Sequence, residues 1–125
     1  MNKYLFLDDL RQPGDVTWVS IPSVKWAVVR SCDEAIQWVK DNGFPEFITF
    51  DHDLGWEKFD TNENGIIVVT ELDVEKSGYD FAKWLVEYDL DTGKMPPNFK
   101  FTVHSMNPIG AEKIQNLLDG YIRQR

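Results

Sequence analysis

With 125 residues the chain is long enough for a single domain, 1–125, and for one sizeable core. Hydrophobic residues make up 42% and charged residues 27%, a globular balance rather than a disordered one. Thirteen Lys and Arg against twenty-one Asp and Glu leave a formal charge of −8, which argues against an extended nucleic-acid binding surface. A small nucleotide or one RNA end in a locally positive pocket stays open. One cysteine, Cys32, leaves no internal disulfide framework and fits a reducing compartment. No apolar run approaches the roughly 20 residues that span a bilayer. The opening Met1 to Leu7 turns acidic at Asp8-Asp9 and lacks the features of a signal peptide. The expectation is an acidic, soluble, cytoplasmic protein with no membrane partner; its oligomeric state is not fixed by these numbers.

Along the chain, Tyr4 to Leu7 is a short apolar run that predicts a buried strand. Leu10 to Val24 contains Pro13-Gly14 and Pro22 and reads as a loop, with a short extended piece at Val16 to Val19. Trp26 to Arg30 predicts a second strand. Ser31 or Asp33 offers an N-cap to a helix bearing Ala35, Ile36, Trp38 and Val39, closed by Asn42-Gly43. Phe47 to Phe50 is a third strand. Ile66 to Thr70 suits a small accessory strand within an irregular region. Ser77 to Tyr88 predicts a helix, Gly93 to Pro97 a loop, and Phe99 to Val103 a fourth strand. Asn107-Pro108 opens a final helix that packs through Ile109, Ile114, Leu117, Leu118 and Ile122. Strands alternating with helices give an α/β class with a mostly parallel sheet.

In such sheets ligands bind beyond the carboxyl ends of the strands. Three strands end in polar clusters: Asp8-Asp9, Asp51-His52-Asp53 and His104-Ser105. Gathered carboxylates repel one another unless protons or a cation relieve them, and hard oxygen donors suit Mg²⁺. Each aspartate alone serves equally as a cap for a following turn. The two histidines, each just past a strand end, make a candidate acid–base pair with interchangeable roles. Ser105 supplies a hydroxyl before a helix N-terminus, where a phosphate or simply a cap fits. Arg11 suits a phosphate bidentately, or a salt bridge to the same aspartates. Cys32 reads as structural. The tryptophans read mostly as core, except Trp56, which follows Gly55 and offers a stacking surface for a base.

Three segments together carry a resemblance: Leu5 to Arg11 with Pro13, then Phe50 to Gly55, then Val103 to Pro108 with Gly110-Ala111-Glu112. From about Lys3 to Leu118 the chain resembles the cyclic-phosphate-processing receiver family, related to response-regulator receiver domains. The resemblance implies a shortened, three-layer flavodoxin-like (receiver-like) sheet with about four core strands and flanking helices. It implies Mg²⁺, or another divalent cation, on Asp8, Asp9 and Asp51. It assigns the remaining site to Arg11, His52, Asp53, His104 and Ser105. A receiver also uses a lysine after a fifth strand; here no fifth strand is evident, and Lys113 falls inside the last helix. The function expected first is a phosphoesterase that opens a cyclic phosphate, such as a 2′,3′-cyclic nucleotide or RNA terminus. One histidine would activate water and the other would protonate the departing ribose oxygen. The alternative is a non-catalytic receiver-like module that binds a nucleotide or a partner protein. A phosphoacceptor switch at Asp51 ranks last because that lysine is missing.

Overall fold

In the computed structural model of the chain, residues 3–53, 57–61, 67–72 and 77–124 are described. The apolar runs form strands β1 (Tyr4–Leu7), β2 (Ala27–Val29) and β3 (Phe47–Phe50). A two-stranded ribbon of β4 (Glu57–Thr61) and β5 (Ile67–Leu72) follows, and β6 is Lys100–Val103. The helices are α1 (Cys32–Asn42), α2 (Gly78–Thr92) and α3 (Pro108–Gln124). Four strands pair in parallel in the order β2-β1-β3-β6, while β4 and β5 pair antiparallel in a separate ribbon. Four parallel strands and three helices make a shortened receiver-like α/β fold.

The helix boundaries follow local chemistry. Ser31 Oγ accepts the Glu34 N–H at 3.1 Å and caps α1, which stops at Gly43 with φ 93°. Ser77 and Asp80 form a reciprocal capping box at the start of α2, which stops at left-handed Gly93. Helix α2 extends past the expected Tyr88 to Thr92. Its final turn is held because Asp89 is buried and accepts the Met95 N–H at 2.8 Å and the Tyr121 hydroxyl at 2.6 Å. In α3, Pro108 takes the first position, and Asn107 Oδ1 accepts the Gly110 N–H at 3.1 Å.

Two local expectations are revised. Val16 to Val19 is not a strand: a 3₁₀ turn at Pro13–Asp15 precedes it, and the Trp18 indole N–H donates across the molecule to the His104 carbonyl at 2.7 Å. The accessory strand expected at Ile66 to Thr70 is β5, with Ile66 itself outside the described residues, and its partner β4 was not foreseen.

One face of the sheet carries Leu5, Leu7, Ile48 and Phe50, all fully buried. They share a core with Ala35 and Val39 of α1, Phe81 and Leu85 of α2, and Ile114 and Leu118 of α3. Each such side chain contributes about 1.5–3 kcal/mol of burial. On the other face Phe6 is fully buried against Trp26, at 6.2 Å between ring centroids, and under His104. There the covering layer includes the segment between β1 and β2.

The register sets up the site. Leu7 stands opposite Val29 and Phe50, and Phe50 opposite Val103. The ladder continues one residue further: Asp8 N–H donates to Val29 at 3.1 Å, Asp51 N–H to Leu7 at 2.8 Å, and His104 N–H to Phe50 at 2.9 Å. Asp8, Asp51 and His104 therefore end adjacent strands at one level. Because β1 lies between β2 and β3, the connections diverge at β1, and a crevice opens at its carboxyl end.

The start of α2 presses on this edge. The Gly78 N–H donates to the His52 carbonyl at 2.9 Å, and a Cβ at Gly78 would run into the Asp51 carbonyl. Gly78→Ala should therefore lose about 1–3 kcal/mol in urea denaturation, the usual cost of overpacking. Unchanged stability would mean that α2 can shift away from Asp51 freely.

Candidate functional site

A cleft of about 500 Å³ opens at this edge. Its lining includes the carboxylates Asp8, Asp9, Asp51 and Asp53, together with Arg11, Leu10, Met106 and Asn107. Five residues singled out in the sequence thus converge on one cavity from the ends of β1 and β3. Asp8 and Asp51 are buried, Asp9 is half-buried and Asp53 is exposed.

Asp8 is the most enclosed. Its Oδ1 accepts the backbone N–H groups of Leu10 at 2.9 Å and Arg11 at 2.8 Å, and its Oδ2 lies 3.0 Å from His104 Nε2. Burial by itself pushes this carboxyl up, but those hydrogen bonds outweigh it and hold Asp8 well below the usual carboxylate range. Asp9 is raised by burial and by repulsion from Asp8. Asp51 is raised by burial and then by Asp8 and Asp9, with His104 and a hydrogen bond from Ser105 opposing. Asp53 is lowered, chiefly by its hydrogen bond with His52.

One oxygen from each of Asp8, Asp9 and Asp51 lies within 4.8 Å of the other two. An all-oxygen donor set, two members of which resist ionisation, matches the chemistry of a hard divalent cation. The set can hold a metal ion. Arg11 completes the local balance: its Nη1 is 3.5 Å from Asp8 Oδ2 and 3.8 Å from Asp51 Oδ2.

The histidines stand behind the cleft wall, and neither is among the described residues that line it. His104 is fully buried, stacked on Phe6 at 4.7 Å, with Nδ1 2.8 Å from Thr49 Oγ1 and Nε2 on Asp8. Since an ionised Asp8 only accepts, Nε2 carries a proton. The His52 ring lies against Gly110 of α3, and its Nδ1 is 2.9 Å from Asp53 Oδ1, which also accepts from Asn107 Nδ2 at 3.2 Å. Ser105 bonds to Asp51 and accepts the Asn107 N–H at 3.1 Å. Cys32 is buried in the core. Gly55 and Trp56 lie outside the described residues, and Lys113 is exposed on α3.

Some supporting residues gave little signal in the sequence. Arg30 Nη1 donates to the carbonyls of Asp8 and Arg11 at 3.2 and 2.5 Å, which pins the loop after β1. Thr49 sits two residues before Asp51, on the same face of β3, a period-two relation that could have drawn attention to it.

The model of the cyclic-phosphate processing receiver domain matches residues 3–120. The chain belongs to that family. No curated protein and no solved structure matches this cyclic-phosphate processing receiver domain. The four-stranded sheet is thus that of a receiver domain of the cyclic-phosphate processing kind.

The charge arrangement has a measurable sign. Asp9 and Asp51 have folded-state values above the roughly 3.9 of an unfolded aspartate, so their ionisation opposes folding at neutral pH. Stability should rise as pH falls from neutral through the raised folded-state values of these groups, towards the unfolded value of roughly 3.9. The stabilisation from Asp8 is present above the unfolded value and is lost only at more acid pH. Urea denaturation in EDTA should follow this trend, and saturating Mg²⁺ should flatten it. Asp51→Asn should be more stable than the native protein in EDTA at neutral pH and gain less from Mg²⁺. A less stable Asp51→Asn would contradict the electrostatic account.

Proposed function

We propose that the chain is a phosphoesterase that opens a cyclic phosphate, such as a 2′,3′-cyclic nucleotide or RNA terminus, with Mg²⁺ held by Asp8, Asp9 and Asp51. The observation that carries this reading is the meeting, in one cleft, of a three-carboxylate cluster with the guanidinium of Arg11. A phosphodiester needs both: a cation to offset the charge of the attacked phosphorus, and a donor fork for its oxygens. When bound, Mg²⁺ would supply that neutralisation and polarise a water.

The chain's own groups then divide the work. Arg11 takes a phosphate oxygen. Asp53 faces the cleft and, held ionised by His52 behind it, accepts a proton from the attacking water and returns it to the departing ribose oxygen. His104 acts through Asp8, fixing its orientation and keeping it ionised, rather than touching the substrate. Ser105, beside Asp51, only partly offsets the resistance of that carboxyl to ionisation. A cytoplasmic setting suits a chain whose single cysteine leaves no internal disulfide to form.

The second reading, a non-catalytic module that binds a nucleotide or a partner protein, is favoured by one observation: neither histidine is among the described residues that line the cleft. Phosphorus NMR on 2′,3′- and 3′,5′-cyclic nucleotides and on oligonucleotides ending in a cyclic phosphate separates the two. The enzyme reading expects Mg²⁺-dependent conversion to one monophosphate isomer. His52→Ala should lower kcat by about 10²- to 10⁴-fold with Mg²⁺ affinity unchanged. His104→Ala should weaken Mg²⁺ binding as well as turnover. Nucleotide binding without turnover of any substrate would establish the module instead.

A further inference from the structure

Arg11 is held by its main chain and left loose at its tip. Its N–H is bound to Asp8, and its carbonyl accepts from Arg30. Its Nη1 approaches the two carboxylates only to 3.5 and 3.8 Å, beyond the roughly 2.7–2.9 Å of a seated charge-assisted bond. The guanidinium is shared between Asp8 and Asp51 without being locked to either.

The opposite side of that guanidinium meets a different surface. Its carbon lies 5.0 Å from the centroid of the Trp18 ring, within cation–π range, and Nη2 is 3.4 Å from Met106 Sδ. Trp18 is no free side chain on a loop. Its indole N–H donates to the His104 carbonyl at 2.7 Å, anchoring a residue from the β1–β2 segment to the end of β6. Met106 follows two residues later, just after Ser105, which bonds to Asp51. The soft surface under Arg11 and the carboxylates beside it therefore hang from the same stretch of backbone.

We propose that Trp18 and Met106 are positioning residues for Arg11. They hold its guanidinium at the cleft, so that it passes from Asp8 and Asp51 to a phosphate oxygen when a divalent cation takes the carboxylates. The inference rests on the reading of the cleft as a phosphate site. The physical reason is a conflict of charge. A cation on Asp8, Asp9 and Asp51 repels Arg11, and without a second attachment the side chain would swing into water and forfeit its fork. A flat π-face attracts a cation without taking its N–H donors, and the Met106 thioether accepts from Nη2 only as a weak acceptor that a phosphate oxygen displaces. Such a surface leaves the donors for the phosphate.

The test is a double-mutant cycle on the binding of inorganic phosphate at saturating Mg²⁺, read by calorimetry, with Mg²⁺ affinity measured separately. Arg11→Ala should weaken phosphate binding by about 10-fold or more, the scale of a lost charge-assisted hydrogen bond. It should also tighten Mg²⁺ binding, since a competing cation is gone. Trp18→Leu should weaken phosphate by about 3- to 10-fold in the native background and have no further effect in the Arg11→Ala background. Trp18→Phe keeps a π-face and should lose less; Met106→Ala should lose less and only where Arg11 is present. These two milder variants carry the cycle if Trp18→Leu does not fold. Equal losses with and without Arg11, or no loss at all, would mean that Trp18 merely packs the loop, and the proposal would fall. It would also fall if the native protein bound no phosphate. Phosphate binding coupled through Arg11 and Trp18, in a protein that turns over no cyclic phosphate, would keep this inference and remove the substrate reading.

Discussion

A carboxylate with no exposed surface must find all its partners inside the protein, and the edge of this sheet is organised around that requirement at Asp8. Two backbone N–H groups from the turn after β1 and one imidazole N–H from the end of β6 meet it. Each of these donors is fixed in turn. Arg30 clamps the turn through two carbonyls, and Thr49 with Phe6 fixes the imidazole. Removing one donor from a buried carboxylate is costly, at least about 1–3 kcal/mol, because the charge then lacks a partner that water cannot replace. The ordering of the β1 turn, the tilt of His104 and the position of Arg11 therefore follow from one group's need for donors.

The neighbouring carboxylates live under the opposite condition. Asp9 and Asp51 are pushed up first by their own burial and then by repulsion from the ionised Asp8 beside them. The fold thus stabilises one negative charge firmly and makes the next two unfavourable until something positive arrives. Part of the stability of the domain is given up at this edge, as is common where a site must receive a charged ligand. Arg11 relieves the strain only in part, since its distances to both carboxylates are long.

Much of this was legible in the sequence, for reasons that can be named. Four apolar runs bounded by acids, caps and turns marked the core strands to within a residue, because a strand buried on both faces has few alternatives. Asp8, Asp9, Asp51 and Asp53 were visible as a group because the carboxyl ends of parallel strands lie at one edge. What stayed hidden depends on pairings distant along the chain. Nothing local marks Trp18 as the donor to a carbonyl 86 residues away. Strand β4, Glu57–Thr61, has Phe59 as its one apolar residue, so its sequence offers no apolar alternation to read. Asp89 looks like an ordinary surface acid near a helix end, yet it joins α2 to Tyr121 of α3. The two histidines were correctly associated with the edge, but sequence order could not tell a side chain lining a cleft from one supporting its wall.

The contact between His52 and Gly110 binds two positions 58 residues apart into one steric unit, since a Cβ at Gly110 would overlap the imidazole ring. Neither position can drift alone. A larger residue at 110 requires a smaller one at 52, and with it the loss of the partner that orients Asp53. Lineages that keep an imidazole at 52 are thereby confined to glycine in the first turn of α3, while lineages that abandon it are released from that constraint. A side chain larger than glycine at this one helical position would consequently report that the imidazole at 52 had moved or been lost, whereas glycine there reports nothing by itself.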